Sequence, residues 1–185
     1  MIYVMVRARE ALGLWRRIAG LCEHRRHPVR GMSAGPAGRG FVRFTLEVDA
    51  PPERASLLAR QLRRLADVVE VEVAADDHAV SRELALIKVC PPPGRRSEVL
   101  QVAQVFRARV VDAGPGALVV EVTGTAGKIE AMIALLEEFR VTGVARGGAV
   151  ALHRGSAAAG AAEPSGPDAG GVTEEAGAHA LAGGR

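Results

Sequence analysis

The chain has 185 residues and is 48% hydrophobic, so it is long enough for one ordinary domain or two small ones with buried cores. The formal net charge is only +3, but nine arginines lie within residues 1 to 46 beside two glutamates. That basic segment suits contact with an acidic partner surface. The sequence has no apolar run of about 18 residues and no signal peptide at its start, so we expect a cytoplasmic protein without a membrane span.

The two cysteines, Cys22 and Cys90, are far apart in the sequence. A reducing cytosol disfavours a disulfide between them. We therefore predict that both are small, buried apolar residues.

The first part of the chain begins with a strand and a helix. An apolar run at 2–6 predicts a buried strand. Helical spacing of apolar residues follows over 11–23. One stripe of that helix contains Ala11, Trp15, Ile18 and Cys22 and is widened by Leu14 and Leu21. A strand is predicted at 27–34, and a turn rich in glycine and proline follows at 35–40.

Residues 41–48 then alternate between apolar and polar side chains, which predicts a half-buried strand. Pro51 and Pro52 can open a helix, because proline is tolerated in the first turn. A valine-rich strand at 69–73 completes the order strand, helix, strand, strand, helix, strand.

The same order returns after residues 74–78. Strands are predicted at 84–89, 109–112 and 118–122, and a last one at 141–152 is interrupted by two glycines. Two apolar helix faces separate them, formed by Val99, Val102, Ala103 and Phe106 and by Ile129, Met132, Ile133 and Leu136. The pattern predicts an α+β protein with two tandem ferredoxin-like domains of β-α-β-β-α-β order.

We place the first domain at 1–76, a linker at 77–83 and the second domain at 84–155. Residues 156–185 contain almost no large apolar side chain and consist mostly of Ala, Gly, Ser, Pro and Glu. Such a segment cannot bury enough surface to offset the entropy of ordering, so we predict a disordered tail.

Three motifs partly match known functional motifs: a phosphate loop, a zinc site and a nucleic-acid-binding surface. The segment Gly124 to Lys128 lacks the first glycine and the Ser or Thr of a phosphate loop, so it predicts a strand-to-helix turn. Cys22, His24 and His27 are closely spaced, but no second Cys/His pair completes a four-ligand zinc site. The arginines of the first domain could contact nucleic acid, but the chain lacks the aromatic stacking residues on strands and the recognition helix of nucleic-acid-binding proteins. We therefore expect no metal and no nucleic acid, and no acid/base pair indicates a catalytic site.

The junction of the first strand and first helix is the best candidate site. A helix N-terminus offers free N–H groups and a partial positive charge, so a ligand carboxylate can dock beside Glu10, Gly13 and Leu14. Gly13 lets a ligand approach the backbone closely, or it merely eases the turn, and physics alone does not separate these alternatives.

Five short stretches, in order, resemble the regulatory small subunits of acetolactate synthase. They are Gln61 to Val71, Arg82 to Val89, Phe106 to Asp112, Thr123 to Lys128 and Val144 to Gly148. The resemblance covers residues 2 to 155 and implies that the first domain is an ACT domain.

The resemblance also implies a function. Such chains are non-catalytic: they activate the catalytic large subunit in branched-chain amino-acid (valine, leucine, isoleucine) biosynthesis and carry valine feedback. ACT domains pair into a homodimer and bind a small amino-acid effector between them. Thiamine diphosphate, Mg and FAD are expected in the catalytic partner, and no cofactor in this chain.

The resemblance assigns the effector site to Glu10, Gly13 and Leu14 and, on the second strand, to Pro28 and Val29. The family's first loop reads Asn-x-x-Gly-x-Leu-x-Arg, and the corresponding residues are Glu10, Gly13, Trp15 and Arg17. Glu10 would repel a ligand carboxylate, and Pro28 replaces an asparagine and has lost a backbone donor. The hypothesis is that valine feedback is weak, absent or redirected to another ligand. The alternative function is a stand-alone amino-acid sensor that no longer contacts the synthase.

Overall fold

The computed structural model describes residues 1–155, so the tail predicted at 156–185 lies outside the described residues. The first domain has the predicted order of elements. These are β1 (Ile2–Arg9), α1 (Leu14–His24), β2 (Val29–Pro36), β3 (Phe41–Val48), α2 (Pro52–Leu62) and β4 (Val68–Ala75). The strands form one antiparallel sheet in the order β2-β3-β1-β4.

The second domain repeats that order after a short 3-10 turn at Asp76–His78. Its elements are β5 (Ala79–Val89), α3 (Arg96–Val105), β6 (Arg109–Ala113), β7 (Leu118–Gly124), α4 (Ala126–Leu136), β8 (Val141–Arg146) and β9 (Val150–His153). The sheet order β6-β7-β5-β8 is equivalent to that of the first domain, and β9 also pairs with β5. The α+β class with two tandem ferredoxin-like domains is confirmed.

Each domain buries its core between one face of its sheet and its two helices. In the first domain the largest fully buried side chains include Phe44, Leu14 and Leu58. In the second they include Phe139, Ile129 and Met132. No helix among residues 1–155 is long and apolar enough to cross a membrane.

The buried stripe of α1 differs from the predicted one. The helix begins at Leu14, so Leu14, Ile18 and Cys22 face the core at intervals of four residues. Trp15 is instead 53% exposed, and its ring packs edge-on against Phe44 with 4.8 Å between centroids. The helix was predicted three residues too long at its start, because Ala11 continued the apolar spacing.

The linker expected at 77–83 is mostly strand. Ala79 to Arg82 form the first half of β5 and pair with β9, from His153 to Val150. The pairing partner lies at the far end of the domain, so no local pattern indicated it. A second difference concerns Cys90, which follows β5 and is only partly buried rather than buried.

The two domains pack directly against each other. The sheet face of the first domain that lies opposite its helices contacts β9 and the segment before it. A small buried cluster crosses this interface, formed by Tyr3, Met5, Ala74, Ala79, Ala149 and Ala151. The Ser33 hydroxyl donates to the Ala149 carbonyl at 2.6 Å, and the Ala149 N–H donates to Glu47 Oε1 at 2.9 Å.

Gly148 allows the close approach at this interface. A Cβ atom on Gly148 would lie 3.0 Å from both the carbonyl carbon and oxygen of Met32 and 3.2 Å from the Ser33 nitrogen. These are backbone atoms within β2, so they cannot rotate away as a side chain would. A side chain at this position would therefore have to push the two backbones apart by a few tenths of an ångström.

Candidate functional site

The loop at 10–13 lies where β1 ends, beside the turn between β2 and β3. The Glu10 N–H donates to the Gly40 carbonyl at 2.8 Å, which holds the loop against that turn. Gly13 is the N-cap of α1 and has φ 76°, a left-handed conformation that glycine adopts at little cost. Leu14 is buried and anchors the first turn of the helix, whereas Leu12 is fully exposed.

The N-terminus of α1 has neither a side-chain cap nor an acidic residue in its own first turn. No side chain makes a capping hydrogen bond there, so Glu10 does not cap the helix, and the first turn contains no acidic residue. Arg16 and Arg17 lie in that turn instead. Because the helix dipole is positive at this end, the loop and the first turn together favour a negatively charged group.

Arg17 organises this end of the domain, although its role was not predicted from the residues themselves. Its guanidinium donates to the Asp67 carboxylate and to the Leu12 carbonyl, the latter at 3.2 Å. The Arg9 N–H also donates to the Asp67 carbonyl at 2.8 Å. Arg17 and Asp67 are 50 residues apart in the sequence, so sequence spacing did not indicate their contact.

Pro28 and Val29 lie at the opposite end of the sheet. Val29 pairs with Val48, which pairs with Ile2 at the start of β1. The loop at 10–13 adjoins the other end of β2, so an eight-residue strand, about 23 Å long, separates the two groups of predicted residues. Within one protomer, the structure brings Glu10, Gly13 and Leu14 together and leaves Pro28 and Val29 apart from them.

A small cavity of about 220 Å³ opens beside Val29, between α1 and β2. Its lining includes Val29, Met32 and Leu46, the Cys22 thiol, the His27 ring and one charged side chain, that of Glu23. Burial raises the pKa of Cys22 to about 11, so the thiol stays neutral. His27 Nε2 is hydrogen-bonded to Gln61 Oε1 at 3.0 Å. The cavity is therefore mostly apolar and fits a small aliphatic group.

The β2 strand forms an open edge of the first sheet. Among residues 1–155, β2 pairs only with β3, so the main-chain groups on its other side are unpaired within the described chain. It is eight residues long, and Arg30 is its only charged residue. A long edge strand with few charges is a template for pairing with another strand.

The other motifs have structural roles. Thr125 caps α4 by accepting a hydrogen bond from the Lys128 N–H, and Lys128 Nζ donates to the Thr123 carbonyl at 2.8 Å. The lysine therefore folds back on its own strand, as expected of a strand-to-helix turn. Within residues 1–155 no three His, Cys, Asp or Glu side chains are grouped as metal ligands.

Comparison with known proteins identifies relatives of both domains. The family described as the small subunit of acetolactate synthase matches residues 82–155, and the ACT domain family matches residues 10–71. The acetolactate synthase small subunit of Aquifex aeolicus is 40% identical over 153 residues, which are 82% of this chain and 80% of that protein. The small subunit of Mycobacterium bovis is 37% identical over 152 residues, 82% of this chain and 90% of that protein.

A solved structure is also similar along the chain. It is the acetolactate synthase small subunit of Thermotoga maritima, with a TM-score of 0.77 and 28% sequence identity. The match covers 83% of this chain and 96% of that one, so it includes both domains.

Proposed function

The chain belongs to the family of acetolactate synthase small subunits, and on that premise we propose that it is the regulatory, non-catalytic subunit of that enzyme in branched-chain amino-acid biosynthesis. The observation that carries this function is the similarity of both domains, in the same order, to named small subunits. The partner is the catalytic large subunit in the cytoplasm, and thiamine diphosphate, Mg and FAD belong to that partner.

The regulatory subunit would act by binding the active arrangement of the large subunit more tightly than the inactive one. A partner shifts such an equilibrium only by its difference in affinity for the two states. An effector bound to the regulatory subunit is coupled to the same equilibrium. The basic residues of the first domain are suited to an acidic docking surface.

We also propose that two copies pair through the free edge of β2. An antiparallel pairing of two β2 strands places the start of one strand beside the end of the other. Pro28 and Val29 of one copy would then approach the loop at 10–13 of its partner. The dimer would thereby unite the two groups of site residues that lie about 23 Å apart in one protomer.

A small amino-acid effector suits this composite site. Its carboxylate would dock at the N-terminus of α1 near Gly13, where backbone N–H groups and the helix dipole attract negative charge. Its aliphatic side chain would enter the cavity beside Val29, whose volume is about 220 Å³. The exposed Glu10 carboxylate weakens the attraction for the ligand carboxylate, so we expect valine feedback to be weak or absent.

The test is acetolactate formation by the large subunit from the same organism, with and without this chain, across a valine titration. We expect activation with little inhibition by valine. Glu10→Asn removes the repelling charge and should lower the inhibitory valine concentration about tenfold, whereas Glu53→Gln, at an exposed position of α2, should not.

Two other outcomes would change the proposal. An unchanged rate with this chain present would instead favour a stand-alone amino-acid sensor. Strong valine inhibition of the wild-type pair would show that the Glu10 carboxylate does not weaken the site. Edge pairing is tested separately by Ser33→Pro on β2, which should reduce the dimer fraction in sedimentation because proline cannot donate in a strand ladder.

A further inference from the structure

A groove of about 420 Å³ lies between the two domains, away from the proposed effector site. One wall belongs to β2 and β3 of the first domain, and the other belongs to β5 and β9 of the second. The second wall is apolar and accessible: Val150 is 62% exposed, Leu152 58% and Val80 39%. The volume is within the range of small-molecule sites in proteins.

Thr45 supplies a hydroxyl group to the lining of the groove. Thr45 was expected on the polar face of a half-buried strand, but the second domain covers that face, and Thr45 is only 3% exposed. Its hydroxyl makes no hydrogen bond to the part of the chain that the structure describes, although Ser33 beside it does. A threonine hydroxyl can both donate and accept, so this group is available to a ligand that enters the groove.

Arg43 lies two residues before Thr45 on the same face of β3. Its Nη2 donates to Glu72 at 2.8 Å, whereas its Nε is buried and has no acceptor. A guanidinium carries five donors, so Arg43 retains donors beyond the one bound by Glu72. Arg82 adds a second positive charge on the opposite wall. Among the described residues that line the groove there are two arginines and no carboxylate.

We propose that this groove binds a small aliphatic carboxylate that has no ammonium group, such as a branched 2-oxo acid. The carboxylate binds the guanidinium groups of Arg43 and Arg82, and the 2-oxo oxygen accepts a hydrogen bond from Thr45. The branched chain packs on Val80, Val150 and Leu152. An amino acid of the same skeleton is disfavoured, because its ammonium group would lose water without gaining a carboxylate partner.

This site is separate from the composite effector site and does not depend on activation of the large subunit. Binding is therefore measured with the full chain alone, by titration calorimetry. The probes are 4-methyl-2-oxopentanoate, L-leucine with the same carbon skeleton, and 4-methyl-2-pentanone, which lacks the carboxylate. The oxo acid should bind in the groove at least about tenfold more tightly than either of the others.

Two variants and a control assign the binding to the groove. Gly35→Val points a side chain into the groove, since a Cβ on Gly35 meets no atom within 4 Å, and should abolish binding. Thr45→Val keeps the shape, removes the hydroxyl and should weaken binding about tenfold. Gly143→Val, on β8, is the matched control and should leave the affinity unchanged, with folding of all three checked by circular dichroism.

The proposal fails if the wild-type chain does not bind the oxo acid. It also fails if both Gly35→Val and Thr45→Val bind the oxo acid with the affinity of the wild type. A third contrary result is that L-leucine binds the wild type as tightly as the oxo acid does and that Gly35→Val abolishes this binding. Loss of self-association in Gly35→Val, without any oxo-acid binding by the wild type, would assign the groove to a second copy of the chain instead.

Discussion

The two domains have the same strand order but differ in the loop and the first turn that follow their first strands. In the first domain, this connection is short, and the first turn of α1 contains no acidic residue. In the second, the corresponding connection contains three consecutive prolines, and Arg95 at its end faces an acidic residue, Glu98, in the first turn of α3. That arginine bonds Glu98 at 2.7 Å and stacks on the Phe139 ring at 4.5 Å.

The edge strands differ in the same way. The first domain presents an eight-residue edge, β2, whereas its counterpart β6 has five residues. The sheet faces also differ, because the second domain covers the open face of the first, while Leu84 and Leu86 on its own sheet remain about two fifths exposed. One topology thus carries the proposed ligand site and the proposed pairing edge in one copy and neither in the other, through differences in loops, edges and covered faces.

The largest expected effect concerns the interface between the two domains, which covers one sheet face of the first domain. Gly148→Ala should lower the free energy of unfolding by about 1–3 kcal/mol, because the added methyl group meets the backbone of Met32. Gly147→Ala is the control, since its Cβ would lie 3.7 Å from the nearest atom, an ordinary contact. Urea unfolding measures both, and equal losses in the two variants would contradict this account of the interface.

A smaller effect on stability is expected at an equivalent position in both domains. Arg26 follows α1 with φ 51°, and Arg107 follows α3 with φ 50°, both in the left-handed region. Because glycine adopts this conformation at less cost, Arg26→Gly and Arg107→Gly should each stabilise the chain by about 0.5–1 kcal/mol. Arg25 has φ −93°, so Arg25→Gly should give no gain in thermal denaturation. If Arg25→Gly is also more stable than the wild type, the stability gained in the other two variants comes from loss of a positive charge instead.

The smallest effect concerns the chemical reactivity of the two cysteines, one of which lies in each domain. Burial raises the pKa of Cys22 to about 11, so at pH 8 only about one thiol in a thousand is ionised. Cys90 is partly exposed. Its Sγ forms a weak hydrogen bond with Thr142 Oγ1 at 3.6 Å, in which either atom can be the donor. Iodoacetamide at pH 8 should modify Cys90 first, as read by peptide mass spectrometry. Raising the pH toward 11 should increase labelling of Cys22, because only its thiolate reacts.

Apolar periodicity was sufficient for most elements of both domains, although the first part of β5 was expected to be a linker. The strands at 41–48 and 118–122 and the second helices alternate or repeat with the period of their own structure, so neighbouring residues alone specify them. Gly13 was identified only as a glycine that admits a ligand or eases the turn, and its left-handed φ of 76° at the start of α1 came from the structure. The family resemblance came from short stretches that lie within these elements.

Contacts between distant residues required the tertiary structure. The pairing of β9 with β5 turned the expected linker into a strand, and the interface around Ala149 buried Thr45 on a face that alternation predicts to be polar. The ion pair of Arg17 with Asp67 and the separation of Gly13 from Val29 also depend on how the sheet is ordered. Periodicity describes the environment of one element, whereas these features depend on which elements meet, and that is decided by packing across the whole chain.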